Sequence, residues 1–296
     1  MHLTAREVER FYTIWFALLH FVSQQRHIVP TFPKKWEKQS VSPDLALPVR
    51  DALWNEDALR ETFIAENPAK LSGDDLALVE SWKYRVAGEF FIFRHLKNYT
   101  VFIDGASPPK AYGVQGISES LEEMIPSAYL PIYTKAVLIP FEDRIIYDGL
   151  LASFAVQFGS GYRHDLKELY RQIQERGGII TKLSPGDDQD IQAKVQASNK
   201  KVLSAFQKAL GMSGLSPKMI QQHSDHLDKF AAEYLRSKTP PGFLLDLSRA
   251  DIDVYRESSK GDINLVSFKR FVWFLRDSGR MDWDEAEKLL KYMKRG

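Results

Sequence analysis

The sequence predicts an α+β protein: a helical N-terminal segment with a small, mostly antiparallel sheet, followed by an all-α four-helix module. Three observations predict it. Apolar residues recur at a spacing of three to four through most of residues 1–86. Between about residues 89 and 158 the period moves towards two, in short runs rich in aromatic and β-branched residues. Beyond about residue 190 the helical spacing returns and stays.

Thr4-Ala5-Arg6-Glu7 is a capping-box pattern ahead of an apolar stretch, so a first helix should run to about Gln25. Phe11, Trp15, Phe16, Leu18, Leu19 and Phe21 make it apolar nearly all round, which calls for burial on several sides or for a partner. Ile28 to Pro43 is rich in Pro and Lys and reads as irregular chain. Ser42-Pro43 opens another helix, and helical patterns follow near residues 56–66 and 74–85. FFIFRHL and YTVFIDG flank Lys97-Asn98 as a hairpin, and AYGVQGI is a third short strand. A short helix over 118–124 leads to three more strand-like runs, TKAVLIP, RIIYDGL and SFAVQFG. A helix over 164–176, stopped by Gly177-Gly178, closes a first domain of residues 1–183.

The boundary falls in TKLSPGDDQD, residues 181–190, and a helical domain spans 190–296. Ile191–Leu210 is a polar helix. Ser216-Pro217 opens the next, with Ile220, His223, Leu227, Phe230 and Tyr234 on one stripe, and Thr239-Pro240-Pro241 ends it. Ser248-Arg249-Ala250-Asp251 caps a further helix. Residues 264–277 carry Leu265, Phe268, Val272 and Leu275 on one face, and a last helix covers about 284–294.

The formal net charge is +1, so no global field draws the chain to nucleic acid or membrane. Residues 1–200 hold 23 Lys+Arg against 26 Asp+Glu, whereas residues 201–296 hold 17 against 13. The C-terminal third is therefore the better place for a polyanion contact. With no cysteine there is no disulfide, thiolate zinc site or Cys nucleophile. The longest apolar run, Phe11 to Val22, is too short to span a bilayer and lacks a signal-peptide pattern, so a cytoplasmic protein without membrane contact is expected.

Four groups of residues carry candidate chemistry. Glu142 and Asp143, with Asp148 just beyond, could pair carboxylates for acid/base or metal-dependent hydrolysis, but the pattern reads first as a hairpin turn. His223 and His226 share a helix face at i, i+3 and could hold a metal, yet His223 also falls on the apolar stripe. Lys218, Lys229, Lys269, Arg270, Arg276 and Arg280 could form a phosphate-contacting face, with Trp273 and Tyr255 nearby, or simply a solvated helix surface. Gly159-Ser160-Gly161, with Arg163 and His164, precedes a helix as an anion-binding loop does, but without GxxxxGK[ST] or a third glycine. No cofactor is expected.

GLSPKMIQQHSDHLDKFAAEYL, LLDLSRADIDVYRE and NLVSFKRFVWFLRDSGRMD, within residues 214–282, resemble the core-binding domain of phage-type integrases, the tyrosine recombinases. The resemblance implies a helical module that grips DNA through basic helix faces. That family's catalytic Arg, Lys, His-x-x-Arg and Tyr lie beyond this module, and the sequence stops at Gly296, so recombinase catalysis is not expected. FYTIWFALLHFV and VLIPFEDRIIYDGLL, within residues 1–180, resemble an uncharacterised prokaryotic family, some of whose members carry a SEC-C type Cys/His zinc motif. That motif needs Cys and is absent here. The sequence thus favours a non-catalytic binding protein that contacts DNA through its C-terminal module. The alternatives are a metal-dependent hydrolase or nuclease at the sheet's acidic residues, and a scaffold or homo-oligomer joined through the apolar first helix.

Overall fold

The computed structural model describes residues 1–35, 41–106, 109–154, 158–184, 188–239, 241–259 and 263–295. They form a mixed α/β protein that divides into two compact units, one of residues 1–170 with 179–185, the other of 171–178 with 186–296.

In the first unit, α1 (Ala5–Arg26) starts on the expected capping box, Thr4 and Glu7 satisfying each other's backbone N–H groups. It is followed by α2 (Pro43–Asn55), α3 (Asp57–Glu66) and α4 (Gly73–Ser81), with one 3₁₀ turn at Trp82–Tyr84. Seven strands follow: β1 (Val86–His95), β2 (Thr100–Asp104), β3 (Ala111–Gln115), β4 (Ile132–Phe141), β5 (Arg144–Tyr147), β6 (Ala152–Ser153) and β7 (Ile179–Ile180). The short helix α5 (Leu121–Met124) links β3 to β4, and α6 (Ser160–Arg176) precedes β7. Of the run SFAVQFG, residues 155–157 lie outside the described residues, as do 185–187 of the TKLSPGDDQD boundary.

Five of the seven strand pairings are antiparallel, but β3 lies parallel to both β5 and β7. β3 can lie parallel to β5 because α5 and β4 run between them in the chain. The order β1-β2-β3-β5-β4 closes on itself, since β4 also pairs β1 over Val86↔Leu138 to Ile92↔Ile132. The result is a five-stranded Greek-key barrel with the strand order of the OB type, and closure removes the exposed edges that an open sheet would leave. β6 and β7 extend it from β4 and β3.

The barrel and the helices share one core. Phe11 of α1 packs on Trp15, Trp82 and Phe141 at ring separations of 6.0, 6.4 and 6.3 Å, and Trp15 also meets Trp54 of α2 at 5.6 Å. Phe11, Ile14, Leu18 and Val22 are fully buried in this cluster. The apolar first helix is therefore covered within its own unit, which corrects the expectation that it serves as a homo-oligomer or partner interface; its exposed positions are Ala5, Arg6, Glu9, Thr13 and Gln24 to Arg26.

In the second unit, α7 (Asp188–Met212), α8 (Pro217–Glu233), α9 (Arg249–Ser258), α10 (Leu265–Asp277) and α11 (Trp283–Arg295) follow in order, with 3₁₀ turns at Leu235–Ser237 and Leu244–Asp246 between α8 and α9. Phe206, Phe230, Phe268 and Phe271 form the centre of their core, with Phe230 against Phe268 at 5.1 Å. Pro240, expected to help stop α8, lies outside the described residues. Among the described residues no helix is long and apolar enough to cross a membrane.

Trp82 is fully buried and its indole N–H donates to the Pro140 carbonyl at 3.1 Å. Trp82→Ala should cost about 3–5 kcal/mol of unfolding free energy. Trp82→Phe, which keeps the ring and leaves the carbonyl unpaired, should cost about 1–3 kcal/mol. Urea unfolding of both variants checks the order.

Candidate functional site

The acidic pinch is a tight turn. Phe141 pairs with Arg144 across β4 and β5, which leaves Glu142 and Asp143 as the two loop residues, and Glu142 takes φ 55 to make the bend. Glu142 accepts from Arg10 at 2.8 Å and from Arg144 at 3.3 Å, while Arg10 also binds Asp75 at 2.7 Å. Arg144 reaches on to Glu7, whose other contacts cap α1. This network ties the hairpin tip to the first turn of α1. Asp143 points outward, its side chain 81% exposed.

Asp148 sits four residues past Arg144, roughly 13 Å along an extended strand, and it is wholly buried. Arg50 Nε donates to its Oδ2 at 2.6 Å, and the Trp54 indole N–H donates to the same oxygen at 2.8 Å. Arg50 Nη2 and the Leu150 N–H donate to Oδ1 at 3.4 and 3.3 Å. Burial pushes the carboxyl above its ordinary value, and the Arg50 charge and these hydrogen bonds oppose the push. Every partner is a donor, so the arrangement is built for the carboxylate. Both oxygens are engaged by protein, leaving no position for a metal or an attacking water. Glu142, Asp143 and Asp148 therefore do not converge, which corrects their candidacy as a catalytic group. Arg50 and Trp54 escaped the sequence reading. The available signal was an Arg at a position of α2 flanked by Val49, Leu53 and Trp54, all on its apolar face.

The histidine pair is also structural. The Nδ1 atoms of His223 and His226 lie 2.9 and 3.0 Å from one hydroxyl, that of fully buried Ser267 on α10. A hydroxyl carries one proton, so it donates to one imidazole and accepts from the other. Burial pushes His223 below its ordinary value, helped by the nearby Arg270 charge and then by His226. Among the described residues no group of three or more His, Cys, Asp or Glu could hold a metal. The two rings are thus a hydrogen-bonded tie between α8 and α10, a correction to the metal reading.

The six cations separate into two sets. Arg276 binds Glu287 at 3.0 Å and Asp277 at 2.9 Å and stacks on Trp283; Arg280 forks onto Glu175 at 2.8 and 2.6 Å. Their charges are neutralised, which corrects their place in a phosphate-contacting face. Lys218, Lys229, Lys269 and Arg270 have no carboxylate partner among the described residues. Lys218 and Lys229 are exposed on α8, and Lys269 and Arg270 are half-buried on α10. Trp273 follows them on α10, 41% exposed, and with Arg270, Phe274 and Leu210 it lines a groove of about 350 Å³. The Arg270 Nε is buried without a hydrogen-bond partner, a donor placed beside that groove.

The glycine loop takes a different form from the one expected. α6 begins at Ser160, so Gly161, Arg163 and His164 lie within its first turns instead of ahead of it. Gly159, Gly161, Arg163 and His164 are exposed, and Arg163 Nε turns back to the Phe158 carbonyl at 3.2 Å. A glycine loop ahead of the helix is therefore not formed, which corrects the anion-loop reading.

Asp148→Asn leaves the buried Arg50 with only the exposed Asp51 carboxylate, at 3.1 Å, as a counter-charge and should cost about 3–5 kcal/mol in urea unfolding. A loss below about 1 kcal/mol would contradict the geometry. Glu7 is held down to about 2 by its hydrogen bond with Arg144. Its contribution is complete above the usual carboxylate range and is lost as pH falls from about 5 towards 2. Glu7→Gln should therefore flatten the fall in melting temperature over that window. Comparison with known proteins found no matching family model, no matching curated protein and no matching solved structure.

Proposed function

We propose that the chain is a non-catalytic binding protein whose C-terminal unit contacts the phosphate backbone of nucleic acid. One observation carries the reading: Lys218, Lys229, Lys269 and Arg270 lack carboxylate partners among the described residues, and an exposed Trp273 stands beside the last two. Lysines without internal partners keep their charge available for phosphate, and each phosphate they neutralise releases counterions from the nucleic acid. Trp273, one helical turn from Lys269 and Arg270, adds a ring on which an unpaired base can stack. The resemblance of residues 214–282 to an integrase core-binding module agrees with this reading.

The barrel of the first unit offers less. OB-type barrels commonly bind oligonucleotides across strands β2 and β3, yet here Thr100–Ile103 and Ala111–Gln115 are buried throughout. Strand order alone assigns no ligand.

Fluorescence anisotropy with labelled duplex and single-stranded DNA of about 20 nucleotides, over a salt series, tests the proposal. Binding should weaken with salt, with log K falling by about 0.9 per log unit for each phosphate engaged. Lys269→Ala with Arg270→Ala should reduce that slope by about 2. Trp273→Ala should weaken single-strand binding more than duplex binding, by about 1–3 kcal/mol for one stacked base. Unchanged affinity and slope in the Lys269/Arg270 variant would sink the proposal.

A further inference from the structure

A groove of about 640 Å³ in the first unit takes in none of the four groups of candidate residues. Its floor is apolar, with Ala17 and Phe21 of α1 facing Leu71. Lys34, Lys35 and Lys70 line it as well, and among the described residues no acidic residue does. These lysines also have no carboxylate partner among the described residues. The adjoining groove on α1 differs: acidic residues line it, and Asp75 and Glu142 pair there with Arg10. Three like charges around one apolar floor repel one another and gain most from an anion placed among them.

The backbone gives an independent sign. Asn67 and Lys70 both sit in the left-handed region, at φ 42 and 54, although neither is glycine. Asn67 does so as the C-cap of α3, its N–H donating to the Phe63 carbonyl, whereas at Lys70 the conformation is uncommon, and such strain gathers where ligands are held. Asn67 imposes it here: its amide donates to the Leu71 carbonyl at 3.0 Å and its oxygen accepts from the Leu71 N–H at 2.7 Å. The clamp turns the loop so that Lys70 and Leu71 both line the groove.

We propose that this groove binds a small amphiphilic anion, its aliphatic body on Ala17, Phe21 and Leu71 and its carboxylate or phosphate on Lys34, Lys35 and Lys70. The volume lies within the range of pockets that enclose a small organic ligand. Apolar contact supplies affinity, while the charge-assisted hydrogen bonds of the lysines select the anionic end. The site stands apart from the nucleic-acid reading, which rests on other residues.

Titration calorimetry of the full chain with monomeric decanoate and decyl phosphate tests it, with decanol, acetate and phosphatidylglycerol vesicles as comparisons. One or both of the ten-carbon anions should bind saturably at one per chain, and decanol and acetate at least about tenfold more weakly. Lys34→Gln, Lys35→Gln and Lys70→Gln together should weaken binding at least about tenfold with an unchanged melting temperature. Ala17→Phe should remove binding by filling the floor. Should that variant melt early, Leu71→Gln, at a half-buried loop position, replaces it with the same expected loss. Binding of neither anion, equal affinity for decanol, unaltered binding in the lysine variant, or association with vesicles alone would overturn the proposal.

Discussion

The contact between Arg50 and Asp148 is the constraint on which the first unit depends. A carboxylate with no solvent exposure is tolerated only where donors replace the water it has lost. Arg50 and the Trp54 indole, one turn apart on α2, supply those donors. Their positions fix the rotation of α2 about its axis and its height against the end of β5. The same turn of α2 then delivers the Trp54 ring to Trp15, so a polar requirement and an apolar one are met by one helix orientation. Such a pair adds little to net stability compared with apolar packing of equal volume, but it penalises any arrangement that separates its members.

Carboxylate–arginine pairing recurs at a second point in this unit. Glu7 and Glu142 hold the β4–β5 turn against the start of α1 through Arg10 and Arg144. Acidic residues that could have formed a catalytic group are consumed in placing helices against the barrel. In the second unit Glu175 and Glu287 take up Arg280 and Arg276. Among the described residues no carboxylate reaches the lysines of α8, α10 and the first-unit groove, and both proposed binding sites rest on them.

Legibility from sequence followed the range of the interactions involved. The capping box at Thr4, the Glu142-Asp143 turn and the α8 stripe are set by neighbours within a few residues, and each was readable. The His223 environment was half readable: its place on the apolar stripe pointed inward, but Ser267, 44 positions away, could not be paired with it from spacing. Closure of the barrel depends on β4 meeting β1 and on β3 lying parallel to β5, contacts that leave no periodic trace. Asp148 showed the same limit. A strand-end Asp beside Gly149 looks alike in sequence whether it faces a cleft or a distant arginine. Lys34, Lys35 and Lys70 were dispersed in irregular chain, and only the fold gathers them around one floor.

A double-mutant cycle tests the claim that Asp148 is an anchor of the fold. Arg50→Met, Asp148→Leu and the combined variant would be compared by urea unfolding. Each single change leaves one buried charge without its partner and should lose about 3–5 kcal/mol. The combined variant removes both charges, and it should be more stable than either single variant despite the unpaired Trp54 indole. Losses that simply add, with the combined variant the least stable of the three, would contradict the account.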